Sequence, residues 1–311
     1  MKQKLDHCIK NTIPCIVISD FEAQKVEVYT IEEAKKEGIL FAFKHATTYK
    51  PHNLTLSKKP LSFESYKTKF DSVIEEIKKG NTYLLNLTQP TVIETDATLK
   101  EIFYSTNASY KILYKDRFVC FSPESFIQIQ GNTIATFPMK GTIDASLPNA
   151  KEKILHDEKE MAEHVMIVDL LRNDLGIIAS EIRVKQFRYI TEVKTNKKTL
   201  LQVSSKITAK LPQNWRENFS EFFFSLLPAG SITGTPKKKT TQLIKEIEGY
   251  ERGFFSGVFG YFDGKNFDSC VMIRFIEKDG DSLIYKSGGG ITLLSDVKAE
   301  YNELLDKVYL P

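Results

Sequence analysis

The sequence predicts one α+β domain built on mainly antiparallel sheets, and three observations point there. Short apolar runs follow one another at hairpin-like spacing, longer stretches between them repeat apolar residues at helical spacing, and no internal repeat or low-complexity linker divides the 311 residues. A hydrophobic content of 41% supplies a folded core, and the formal charge of +3, with no run of five like charges, indicates neither a nucleic-acid groove nor a basic membrane patch. Cys8, Cys15, Cys120 and Cys270 lack Cys-x-x-Cys spacing and read as reduced, mostly buried thiols. The first residues are too short and too polar-flanked for a signal peptide, and no apolar run reaches the length of a membrane span, so a soluble cytoplasmic protein is expected.

Taken in order, residues 12–60 alternate short apolar runs such as Cys15 to Ile18 and Ile39 to Phe43 with polar turns, which predicts a small strand-rich N-terminal portion, 1–62, packed on a main domain, 63–311. Tyr66, Phe70, Val73, Ile74 and Ile77 predict a helix over 63–80, stopped by Gly80-Asn81. Strands are expected at 82–88, 111–121, 125–130 and 133–137. Residues 150–179 carry the longest helical pattern, with Met161, Val165, Val168, Leu171 and Leu175 on one stripe and Gly176 near the end. Strands at 181–193 and 199–209, a helix at 217–227, a loop from Leu227 to Lys237 and a helix at 238–248 follow. Strands at 254–262, 269–277 and 282–287, a glycine turn at 288–290 and a closing helix over 296–309 complete the chain.

Two carboxylate pairs stand out. Glu160/Glu163 and Glu300/Glu303 are each spaced to share one face of a helix. Oxygen ligands of this kind suit Mg²⁺, which leans on one or two carboxylates plus the substrate's own anionic oxygens; the plain alternative is a solvated helix face. Three glycine-bearing segments, Gly141-Thr142, Gly230 to Gly234 and Gly288-Gly289-Gly290, could bring backbone N–H groups to an anion or could be ordinary turns. Gly230 to Lys237 lacks the order of a nucleotide phosphate loop. Arg274 interrupts an apolar strand and reads as either a carboxylate clamp or a surface residue. Lys140 precedes Gly141-Thr142 and is either a nucleophilic amine or a solvated turn lysine.

Six blocks in one order carry a resemblance. Ser122-Pro123-Glu124-Ser125-Phe126, Phe137-Pro138-Met139-Lys140-Gly141-Thr142, the run Ala162 to Gly176, Gly230 to Lys237, Ser287 to Ile291 and Ala299 to Glu303 resemble the chorismate-utilising enzymes over roughly residues 63–311. The resemblance implies two facing β-sheets flanked by helices. It is nearest the members that make 4-amino-4-deoxychorismate, which have Lys where anthranilate and isochorismate synthases usually have Ala at the position of Lys140. Leu84 stands where isochorismate- and salicylate-forming members place a water-activating lysine, which disfavours those activities.

For the site, the resemblance implies Mg²⁺ held by Glu163 and Glu303 with Glu160 and Glu300 as outer partners. It further implies Lys140 adding to C2 of chorismate and Glu124 as the general acid at C4. Arg274 and the backbone of Gly288 to Gly290 would hold the enolpyruvyl carboxylate, with Gly141, Thr142 and Lys307 completing the anion pocket. Ammonia would come from a separate glutamine amidotransferase subunit, and an aminodeoxychorismate lyase would act downstream, for para-aminobenzoate and folate. Leu201, where many relatives have His, fits a product that keeps its side chain. Phe255, where relatives carry an aromatic hydroxyl, leaves one donor fewer, and the Leu-Leu-Glu-Ser feedback motif is missing. The alternatives are an anthranilate synthase large component and a catalytically silent chorismate-binding subunit.

Overall fold

The computed structural model describes residues 1–44, 54–194 and 199–311; residues 45–53 of the expected N-terminal portion lie outside the described residues. The chain opens with α1 (Lys2–Lys10), β1 (Cys15–Ser19), β2 (Val26–Thr30), α2 (Ile31–Lys36), β3 (Leu40–Phe43) and β4 (Ser57–Lys59). Neither helix was expected. In α2 a reciprocal cap between Thr30 and Glu33 supplies the missing backbone partners and sets the start. β1 is buried on both faces, Ile16 and Ile18 on one side and Cys15 and Val17 on the other, which accounts for its unbroken apolar run.

Then come α3 (Phe63–Lys78), β5 (Leu84–Glu94), α4 (Leu99–Ser105), β6 (Tyr110–Tyr114), β7 (Phe118–Ser122), β8 (Ser125–Gln130), β9 (Thr133–Thr136) and β10 (Met139–Asp144). α3 matches its sequence reading, capped by Ser62 and buried on Tyr66, Phe70, Val73 and Ile77. The single strand expected over 111–121 is a hairpin, β6–β7, whose turn residues Lys115 and Asp116 both have positive φ, 47° and 52°. β5 runs on through Pro90 to Glu94.

The long helix expected over 150–179 is two, α5 (Ala150–His156) and α6 (Glu158–Ile178), divided at Asp157, whose extended backbone and side chain cap the second. β11 (Ser180–Lys194), β12 (Thr199–Lys210), α7 (Phe219–Ser225), β13 (Gly234–Thr235) and α8 (Lys237–Glu248) follow. β14 (Val258–Phe262), β15 (Phe267–Val271), β16 (Phe275–Asp279), β17 (Ser282–Ile291) and α9 (Val297–Asp306) end the chain.

Two antiparallel sheets result. The nine-stranded one runs β10-β12-β9-β8-β15-β14-β1-β2, with β11 on β12; the eight-stranded one runs β13-β5-β17-β16-β7-β6-β3, with β4 on β5. β1 and β2 thus extend one sheet and β3 and β4 the other. The largest core joins α3, α6, α7 and α8 to both sheets, a second fills the space around β1, β6 and β14, and a third packs α4 on the outer side of β6, β7 and β17. Gly288 to Gly290, expected as a turn, are three residues of β17 in register with Thr88, Leu87 and Asn86. A Cβ on Gly288 would sit 2.2 Å from the Leu87 carbonyl oxygen, so only glycine permits that pairing.

Candidate functional site

The two sheets bring their glycine-bearing strands, β10 and β17, against α6 and α9, and the expected site residues gather where these four elements meet. Lys140 lies on β10, a strand rather than the turn expected, and its Nζ is 3.5 Å from Glu163 Oε2. A Cβ on Gly290 would lie 2.9 Å from that Nζ. The lysine amine therefore rests against bare backbone, with its side chain 16% exposed. Gly141 has φ 86°, and a Cβ there would approach Glu160 Oε2 to 3.2 Å, which explains the residue. Thr142 is exposed beside it.

The carboxylates split by position. Glu163 and Glu300 are buried, Glu160 is partly covered and Glu303 is half-exposed, its side chain lying along Lys307. Burial, then the neighbouring Glu163 charge, pushes Glu160 above the ordinary glutamate value. For Glu303 burial acts upward, but Lys307, whose Nζ is 2.6 Å away, outweighs it and holds the carboxyl below its usual value. Lys307 also donates to the Gly288 carbonyl at 2.7 Å, and burial lowers its pKa. A residue the sequence reading missed, Lys159, spans the two helices: its Nζ is 2.8 Å from Glu300 Oε1 and 3.8 Å from Glu163 Oε1. Only its spacing from the Glu160/Glu163 pair could have drawn attention to it.

Hard oxygen donors from two helices, beside glycines that leave room, suit a divalent cation in kind. Yet among the described residues no three carboxylate, imidazole or thiol side chains converge as a ready ligand set. Lys140 and Lys307 sit beside Glu163 and Glu303, and Lys159 lies between Glu163 and Glu300, so three ammonium groups offset part of the charge of the four carboxylates.

Glu124 sits between β7 and β8, partly covered, with its carboxyl enclosed far enough that burial pushes it above the ordinary glutamate value. Charges on Lys140, Arg274 and Lys307 pull the other way, as does a hydrogen bond donated by the Ser231 hydroxyl. Sequence reasoning placed Ser231 in a candidate anion loop without giving it a role. Arg274 is not within a strand: it occupies the break between β15 and β16 at φ 56°, its Nε donates to the Tyr309 hydroxyl at 3.3 Å, and its guanidinium lies 5.6 Å from that ring's centre. Phe255 is buried, 6.0 Å from Phe275. Leu84 is fully buried, and its Cδ1 would lie 3.8 Å from a Cβ on Gly290, so an apolar group occupies that corner of the site. Leu201 pairs with Ile143 of β10.

Comparison with known proteins gives a consistent result. The family model described as chorismate binding enzyme matches residues 14–310. An uncharacterized PabA-like protein of Haemophilus influenzae is 47% identical over 313 residues, covering 99% of this chain and 95% of its own. Aminodeoxychorismate synthase component 1 of Salmonella typhimurium is 30% identical over 309 residues, 94% of this chain and 66% of its own. Among solved structures, anthranilate synthase component I of Streptococcus pneumoniae superposes with a TM-score of 0.70 at 23% identity, covering 83% of this chain and 59% of that one. No helix among the described residues is long and apolar enough to cross a membrane.

Proposed function

The chain belongs to the chorismate-binding enzyme family, and from that premise we propose that it aminates chorismate to 4-amino-4-deoxychorismate, the precursor of para-aminobenzoate in the folate branch. The observation that carries the reading is the Lys140 amine, held against the bare backbone of Gly290 and beside the buried Glu163. An amine so placed can add to a ring carbon, whereas a chain with alanine there could not.

In this mechanism Arg274 and Lys307, with the backbone of Gly288 to Gly290, hold the enolpyruvyl carboxylate, and Gly141 and Thr142 border the ring carboxylate. Magnesium, bound by Glu163 and Glu303 with Glu160 and Glu300 behind them, would supply the charge that anchors the ring carboxylate and draws electrons toward it. Lys140 forms a C–N bond at C2 as both ring double bonds shift, C1=C2 to C1=C6 and C5=C6 to C4=C5, and the C4–O bond breaks. Glu124 delivers a proton to the departing oxygen, which leaves as water. Ammonia then bonds to C4, both double bonds shift back, and the C2–N bond to Lys140 breaks. A proton lost from the new amine returns to Glu124.

A glutamine amidotransferase on a separate chain is the proposed ammonia source, with an aminodeoxychorismate lyase acting on the product. Mass-resolved analysis of the purified chain with chorismate, magnesium and ammonium tests the reading. Product that an added lyase converts to para-aminobenzoate supports it. Anthranilate with pyruvate would move the chain to the anthranilate-forming branch, and an absence of product would make it a binding subunit. Lys140→Ala should abolish amination, and unchanged turnover in that variant would remove the lysine from the covalent step.

A further inference from the structure

The segment Gly230 to Gly234, in the loop from Leu227 to Lys237, reads in the sequence as a possible anion cradle, yet its polar groups are turned to another use. A 3-10 turn over Gly230–Ile232 is locked from every side. Lys237 Nζ is 2.6 Å from Asp174 Oδ2 on α6 and donates to the Leu226 carbonyl at 3.0 Å. Arg252, itself paired with Glu248, donates to the Ile232 carbonyl at 2.9 Å. Thr233 Oγ1 donates to the Ala229 carbonyl at 2.7 Å. A Cβ on Gly230 would meet Leu170 at 2.9 Å and Asp174 at 3.1 Å, so the turn is pressed onto α6 as closely as glycine allows. What this rigid turn presents outward is one hydroxyl, that of Ser231, and it donates to Glu124 Oε1.

Glu124 is fixed from its own side as well. Its N–H donates to Ser122 Oγ at 3.1 Å, and its carbonyl accepts from the Val271 N–H at 3.1 Å. Backbone and carboxyl are thus held independently, one by β7 and β15, the other by the turn on α6.

Resting on the reading of Glu124 as the general acid, we infer that Ser231 is a positioning residue for it: the hydroxyl claims Oε1, leaving Oε2 to carry the proton delivered at C4. An oxygen already accepting a hydrogen bond is the poorer place for the acid's own proton, so the two oxygens are no longer equivalent. Once the proton has gone, the same hydroxyl donates to the carboxylate left behind, where a charge-assisted bond is stronger than the neutral one it replaces. Ser231 therefore favours the transition state over the ground state. The part-buried Lys237–Asp174 pair and the buried Arg252 keep the turn where this geometry holds.

The test follows kcat, KM for chorismate and the alkaline limb of the pH profile in Ser231→Ala, Ser231→Thr and Glu124→Gln, with ammonium as the amine source. Alanine fits wherever serine does, so the fold survives the substitution. Loss of the donor should lower kcat about tenfold to a hundredfold with KM little changed. The charges facing Glu124 come from Lys140 on β10, Arg274 before β16 and Lys307 after α9, with the Cys270 thiol on β15, and all remain in the variant. The alkaline limb, set by ionisation of the acid, should then move to higher pH by about half a unit or more, because the carboxylate alone has lost a partner. Ser231→Thr, which keeps the hydroxyl, should restore both. Wild-type kcat and an unmoved limb in Ser231→Ala, with Glu124→Gln inactive, would overturn the inference alone; full activity in Glu124→Gln would overturn the acid assignment and the inference with it.

Discussion

Two positions of β17, Gly288 and Gly290, separate catalysis from folding. A Cβ on Gly290 would stand 2.9 Å from the Lys140 Nζ, the far end of a flexible side chain, whereas a Cβ on Gly288 would stand 2.2 Å from the Leu87 carbonyl oxygen, which is backbone inside the sheet. Comfortable contact needs about 3.5 Å or more. Gly290→Ala is relieved by moving one amine by roughly half an ångström to one ångström, and a misplacement of that size can cost about a hundredfold in rate. Its melting temperature should stay close to that of the wild type.

Gly288→Ala has no such relief. It must part β17 from β5, and overpacking in a rigid region costs about 3 kcal/mol or more. At about 2–4 °C per kcal/mol for a large domain, melting should fall by roughly 6 °C or more. Thermal denaturation by circular dichroism and chorismate consumption with ammonium measure the two effects separately. A Gly290→Ala protein with wild-type turnover, or a Gly288→Ala protein as stable as the wild type, would refute the reasoning.

Three further outcomes follow from the site. Burial raises the Glu124 pKa in the folded protein, so the native state binds more protons than the unfolded chain between the ordinary glutamate value and the raised one, and stability falls as pH rises through that window. Glu124→Gln should therefore melt higher than the wild type at neutral pH while turnover falls about a hundredfold or more; lower melting would contradict the sign. Lys159→Met removes the ammonium 2.8 Å from the buried Glu300, so the variant should melt lower without magnesium and gain more on adding it, and equal gains in both proteins would count against competition at that carboxylate. Glu303→Gln should raise the magnesium concentration needed for half-maximal activity, and unchanged metal affinity, read by manganese binding, would exclude Glu303 as a ligand.

What the sequence disclosed depended on how local the signal was. α3 was legible because its four buried residues follow one helical stripe. On α6 the same reasoning half failed: Met161 and Val165 are exposed, because the first turns bury Glu163 beside Lys140 and His164 against Ser205 and Phe187, and apolar residues take over the inner face only from Ile167 onward. Buried polar side chains displace the hydrophobic pattern there. The glycines of β17 read as a turn since nothing in their neighbours along the chain reveals that Leu87 and Lys140 press upon them. The hairpin of β6 and β7 was hidden because Lys115 and Asp116 adopt left-handed conformations more often given to Asn-Gly. Lys140, Glu163, Glu300 and Lys307 were identified as a set by motif order, while Ser231 and Lys159 owe their place entirely to partners far away in the chain.

The strand order of the eight-stranded sheet sets a timetable for assembly. β17 lies between β5 and β16, so Leu85 waits for Ile291 before its ladder is filled. Until then β5 offers an open edge along the side later taken by β17, and neither the glycine backbone beside Lys140 nor the carboxylates of α9 is in place. Contacts so distant in sequence close slowly. A growing chain would hold Lys140 and Glu163 long before it could hold a substrate, and its uncovered β5 edge would be the surface most in need of protection from other chains.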